Sequence, residues 1–116
     1  MIRRLALVLA PSACTLALGC VTHYQSFYRE ADSDLRPRPV ASEEVAVVRS
    51  RDDLRTPWTK LGDYEGHAPT VKEAMDAAKR ACGRAGAGYF ILDVAPFEAR
   101  GLWKVDGICA TETAAP

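Results

Sequence analysis

Most of what a catalytic site needs is missing from this sequence. There are two histidines in 116 residues, His23 and His67. No Gly-x-Ser-x-Gly elbow, His-Glu-x-x-His pair or Cys-x-x-Cys motif occurs, so a serine or cysteine nucleophile has no evident base and a thiol redox pair has no frame. Gly86-x-Gly88 is too short for a phosphate loop, and the paired acids Glu43-Glu44 and Asp52-Asp53 read as ordinary surface in a chain with 26% charged residues. The expectation is a non-enzyme with no cofactor. Excess charge is missing too: 15 basic and 15 acidic side chains cancel. Lys and Arg are scattered rather than gathered into a stripe, which argues against a nucleic-acid partner.

A long apolar run is also lacking, since spanning about 30 Å of hydrocarbon takes roughly 20 apolar residues. What is present instead is a shorter run, Leu5 to Leu18, behind Arg3 and Arg4 and ending in Gly19-Cys20. A basic start, an apolar middle and small residues before a cut are the parts of a secretory signal peptide, here residues 1–19.

The stretch Leu16-Ala17-Leu18-Gly19-Cys20 resembles the lipobox of bacterial lipoproteins. In that family a signal peptidase cuts before a diacylated cysteine, which implies Cys20 as a lipidated N-terminus and the membrane as a partner. The family usually has leucine three residues before the cysteine and a small residue two before it. Here Ala17 and Leu18 hold those positions. Ordinary cleavage after Gly19 is the alternative, and releases a periplasmic or secreted domain. Val21 stands where aspartate would resemble an inner-membrane retention signal, so the resemblance implies the outer membrane, facing the periplasm.

Removing 19 of 116 residues leaves 97, enough for one small domain. Arg3 and Arg4 leave with the signal, so 13 basic side chains face 15 acidic ones. Of the four cysteines, Cys14 is discarded and Cys20 is set aside for acylation. Cys82 and Cys109 remain, and in an oxidising compartment they favour a disulfide over free thiols.

From Val21 to Ser42 the pattern is mixed, with Arg36-Pro37-Arg38-Pro39 near its end, so residues 20–42 read as the lipidated N-terminus and a semi-extended tether. Tyr24, Phe27 and Tyr28 within it suit the membrane interface, a partner, or packing on the domain. Residues 43–112 read as a compact domain and 113–116 as a tail. Val45-Ala46-Val47-Val48 is a β-branched strand signal, Trp58 to Glu65 a second, and the charged run Arg49 to Arg55 between them suits a hairpin loop.

Thr70-Val71-Lys72-Glu73 has the form of a capping box, followed by Val71, Ala74, Met75, Ala78, Ala81, Cys82 and Ala85 on one helical face. Gly86 suits the left-handed residue that ends such a helix, while Gly83 inside it costs about 1 kcal/mol relative to alanine. Tyr89 to Val94 and Leu102 to Ala110 complete the strands. Alternation puts Trp103, Val105, Gly107 and Cys109 on one face, and Cys82 lies on the helix's apolar stripe, so two periodicities direct the cysteines to one core. The predicted fold is α+β: a four-stranded sheet with one helix, in the order strand-strand-helix-strand-strand.

This order, behind a lipobox and a proline-containing tether, resembles small bacterial envelope lipoproteins such as the stress-sensing lipoprotein of the Rcs phosphorelay. The likeness rests on Leu16 to Cys20, the alanine-rich helix and Ala85-Gly86-Ala87-Gly88-Tyr89-Phe90-Ile91-Leu92. The Rcs sensor resembles a two-disulfide domain, and the cysteine count here departs from that. The expected function is a non-catalytic, membrane-anchored lipoprotein that contacts another envelope protein as sensor or accessory subunit, with Phe97, and Trp58 and Trp103 where they are not core, as candidate anchors. The alternative is a periplasmic small-ligand or metal-binding module. For that alternative Asp63, Glu65 and His67 are the clustered ligand types, projecting from one side of an extended strand, although three polar residues at a strand's end usually form a solvated face, and no metal is expected.

Overall fold

A computed structural model describes residues 25–113. The expected signal peptide, Cys20, Tyr24 and residues 114–116 lie outside the described residues. Six strands and one helix follow in the order β1 (Gln25–Glu30), β2 (Ala46–Val48), β3 (Trp58–Ala68), α1 (Val71–Arg84), β4 (Tyr89–Leu92), β5 (Phe97–Ala99) and β6 (Leu102–Glu112). The sheet is mixed, ordered β1-β3-β6-β4-β2, with β5 pairing β6 beside β4. Among the described residues, no helix is long and apolar enough to cross a membrane.

The expected four-stranded sheet is therefore wrong in three respects. First, β1 forms inside the stretch assigned to a tether and pairs antiparallel with β3 from Gln25↔His67 to Glu30↔Gly62. Its sequence holds no β-branched residue, and of its six side chains only Tyr28 is half-buried, so its pattern is that of an edge strand held by backbone pairing. Second, β5 is a three-residue strand created by a two-residue turn. Arg100 and Gly101 both have positive φ, 56° and 81°, between the paired Ala99 and Leu102, which is the backbone that matches strand twist in a tight hairpin. Third, β2 and β3 do not form a hairpin. β2 runs parallel to β4 at the far edge, Ala46↔Tyr89 to Val48↔Ile91. The run Arg49 to Arg55 has no Gly-containing two-residue turn to fold the strands back. It forms a 3₁₀ turn at Arg51–Asp53 capped by Ser50, and carries Leu54 across the sheet.

The helix starts and stops for the local reasons its sequence supplies. Thr70 Oγ1 accepts from the Glu73 amide at 3.1 Å. At the other end Gly86, with φ 90°, lets its amide reach the Gly83 carbonyl and that of Ala87 reach the Cys82 carbonyl, both at 2.9 Å. Gly83 in mid-helix has a tertiary reason: Val40 donates its amide to the Gly83 carbonyl at 2.8 Å, and a Cβ at Gly83 would collide with the Val40 carbonyl oxygen. The chain after β1 thus crosses directly over the helix instead of leading away from it.

Beneath α1, the inner face of the sheet gathers Tyr64, Phe90, Leu92, Val105 and Cys109 against Ala74, Ala78, Ala81 and Cys82. The small helix residues let the helix lie close to the sheet. Tyr64 and Phe90 meet edge to face at 5.8 Å between centroids. Cys82 and Cys109 are bonded, with α-carbons 5.1 Å apart and 27 residues between them in sequence. In the chain-entropy account such a loop restrains the unfolded chain by about 3 to 4 kcal/mol.

Candidate functional site

The outer face of the sheet, away from the helix, carries Asp63, Glu65 and His67, the clustered ligand types of the sequence. Registers divide it into rungs. One rung runs Gln25, His67, Lys104, Phe97 across β1, β3, β6 and β5, because each residue pairs directly with the next. The next is Phe27, Glu65, Asp106, and the one after it is Arg29, Asp63, Ile108, Ile91, Val48. Directly paired residues share a face, so these side chains stand together.

The farther half of this face is a second, small core. Ile91, Ile108 and Ala110 are buried beneath Val48, Leu54, Trp58 and Tyr89, and the Tyr89 hydroxyl donates to Glu112 Oε1 at 2.7 Å. The nearer half is polar and open. Asp63, Glu65 and His67 do share it, as alternation requires, but they sit on successive rungs roughly 6.6 Å apart. Asp63 is already engaged by Lys60 Nζ at 3.1 Å. Among the described residues no group of three or more His, Cys, Asp and Glu side chains could hold a metal ion.

Asp106 is the perturbed acid of this face. Its Oδ1 is buried without a hydrogen-bond partner. Burial first, and then the charge of Glu65, raise its carboxyl above the ordinary aspartate range; Lys104 opposes the shift and Asp93 adds to it.

A cleft of about 310 Å³ opens on the other side of the domain, between the end of α1 and the chain after β1, lined by Tyr28, Leu35, Pro37, Leu61, Ala81 and Arg84. Arg36 at its margin is held by Glu30 at 3.3 Å and by the carbonyls of Ser33 and Leu35. Burial, then the charge of Glu30, raise the Tyr28 hydroxyl above its usual value. Of the two arginines at this cleft, Arg36 is engaged by its contacts with Glu30, Ser33 and Leu35.

Of the residues singled out in sequence, Cys82 and Cys109 come together in a bond. Trp58 and Trp103 fall at opposite ends of the β3–β6 ladder, Trp58↔Glu112 and Ala68↔Trp103. Phe97, 41% exposed, joins the His67 and Lys104 rung, and Phe27, 59% exposed, stands one rung away. Sequence reasoning missed Asp106: it lies in the alternating run of β6, and its partners Glu65 and Asp93 are distant in sequence.

No family model matches this chain, and no curated protein matches it. Among solved structures the chain is similar to the crystal structure of a Francisella virulence factor, FvfA, with a TM-score of 0.53 and 13% identity over 76% of this chain and 97% of that one. At that identity the likeness is one of fold.

Proposed function

We propose that this protein is an exported lipoprotein, acylated at Cys20, that works without catalysis by holding a small rigid domain at an envelope membrane, where it contacts another envelope protein as sensor or accessory subunit. The observation that carries the reading is the N-terminal arrangement: Arg3-Arg4, the apolar run Leu5 to Leu18, and Gly19-Cys20. The bonded pair Cys82 and Cys109 supports it, because such bonds persist in oxidising compartments. Two or more acyl chains turn marginal membrane binding into stable anchoring, at about 0.8 kcal/mol for each buried methylene.

The test is intact mass with detergent phase partitioning on native protein and its Cys20→Ser variant. Native protein is expected to carry acyl mass and enter the detergent phase, while the variant stays aqueous. Should both forms be aqueous and unmodified, the lipoprotein reading fails. Crosslinking in intact cells then tests the second half, a reproducible protein partner being the expected result.

A further inference from the structure

The sheet begins five residues after Cys20, at Gln25. Even a fully extended chain of that length spans at most about 18 Å. The long tether expected from the sequence is therefore absent as reach: an acylated Cys20 fixes not only the protein but one end of its sheet close to the bilayer. The end is identified by register. Gln25, His67, Lys104 and Phe97 form one rung across four strands, so Phe97 lies roughly 14 Å from Gln25 at the same level of the sheet. At the same end lie the β5–β6 turn at Arg100 and Gly101, the last pair of the β3–β6 ladder, Ala68↔Trp103, and the start of α1 at Val71.

Deepening the lipoprotein reading, on which it rests, we infer that this end of the domain, carrying the β5–β6 hairpin, rests on the phospholipid headgroups, with the opposite end, around Trp58 and Glu112, pointing away from the membrane. The chemistry of the end fits that occupant. Phe97 at 41% exposure, Val94 at 48% in the turn between β4 and β5, and Val71 at 39% at the helix start are apolar side chains left uncovered. Lys104, paired with Phe97, and Arg100 in the β5–β6 turn bring positive charge to this end, where the acids Glu98, Asp93 and Glu65 are exposed as well. Apolar contact with basic neighbours is what an interfacial surface presents to anionic headgroups. A protein partner engaging an anchored domain would then meet the far end and the sheet edges.

The two tryptophans provide the measurement, since they lie roughly 30 Å apart along one ladder. Full-length acylated protein is reconstituted in phosphatidylethanolamine and phosphatidylglycerol vesicles carrying a nitroxide on the headgroup, once as Trp58→Phe and once as Trp103→Phe. Intact mass and vesicle flotation report acylation independently of fluorescence. The expected result is several-fold stronger quenching of Trp103 than of Trp58, and weaker quenching of Trp103 when Phe97→Asp and Arg100→Glu are combined in acylated protein that still floats. Equal quenching, or stronger quenching of Trp58, in acylated floating protein overturns the orientation while leaving the lipoprotein reading intact. Quenching of Trp103 unchanged by the double substitution overturns the role assigned to the hairpin. Protein that carries no acyl mass removes the anchor and the orientation together.

Discussion

On the inner face of the sheet, Phe90, Val105 and Cys109 are sealed under a 14-residue helix and tied to it by a disulfide. On the outer face, Ile91 and Ile108 are equally buried, yet their cover is a partial one built from Val48, Leu54, Trp58 and Tyr89, and it extends over half the face. Ile91 and Ile108 are thus as buried as the inner residues while the means differ. The inner face is closed by a regular element whose apolar stripe matches the sheet. The outer face is closed by an irregular connection and stops where the rungs turn polar. The contrast separates the part of the molecule that holds the fold from the part left available for contact.

The inner face should carry most of the stability. Phe90→Ala removes a ring that touches Tyr64 edge to face and is expected to cost about 3 to 5 kcal/mol in chemical denaturation. Replacing both Cys82 and Cys109 by alanine should cost about 3 to 4 kcal/mol, and reduction of native protein should give a similar loss. By contrast Leu54→Ala, which uncovers the outer cluster, is expected to cost roughly 1 kcal/mol because the side chain is half exposed already. If Leu54→Ala matched Phe90→Ala, the distinction between the two faces would collapse. Phe27→Ser should change stability by no more than about 0.5 kcal/mol, as expected of an exposed side chain on an edge strand.

The polar half of the outer face can be tested by pH. The Asp106 carboxyl is raised above its unfolded value, so its protonated form favours the fold. That contribution is fully present below the ordinary carboxylate range and is lost as pH rises through the raised folded value. Asp106→Asn is accordingly expected to be more stable than the parent near neutrality, with the difference closing as the pH falls below the usual aspartate range. Denaturation midpoints of the two proteins across that range measure it. A gap that stays constant with pH would remove Asp106 from the account.

Local signals were legible where one segment satisfied itself. The capping box at Thr70, the left-handed stop at Gly86 and the alternation of β6 are read from neighbours a few residues apart, and each has its counterpart in the fold. β1 was not legible because its polar, half-exposed sequence is a strand through its ladder with β3, a partner more than thirty residues away. The placement of β2 beside β4 was hidden for the same reason: a short apolar strand carries no mark of its neighbour, and the charged run after it resembles a hairpin loop until Leu54 is seen across the sheet. Gly83 reads in sequence as a cost, and its cause, the Val40 carbonyl, belongs to a segment that reads as a tether.

By itself the sequence determined the helix and its ends, the two long strands, and the convergence of Cys82 and Cys109, because periods of 3.6 and 2 act within a segment and need no partner to be read. Tertiary structure alone decided how many strands there are, which of them are neighbours, and how close the sheet begins to Cys20. Those depend on backbone hydrogen bonds between distant segments, and such bonds are made by peptide groups that every residue carries alike.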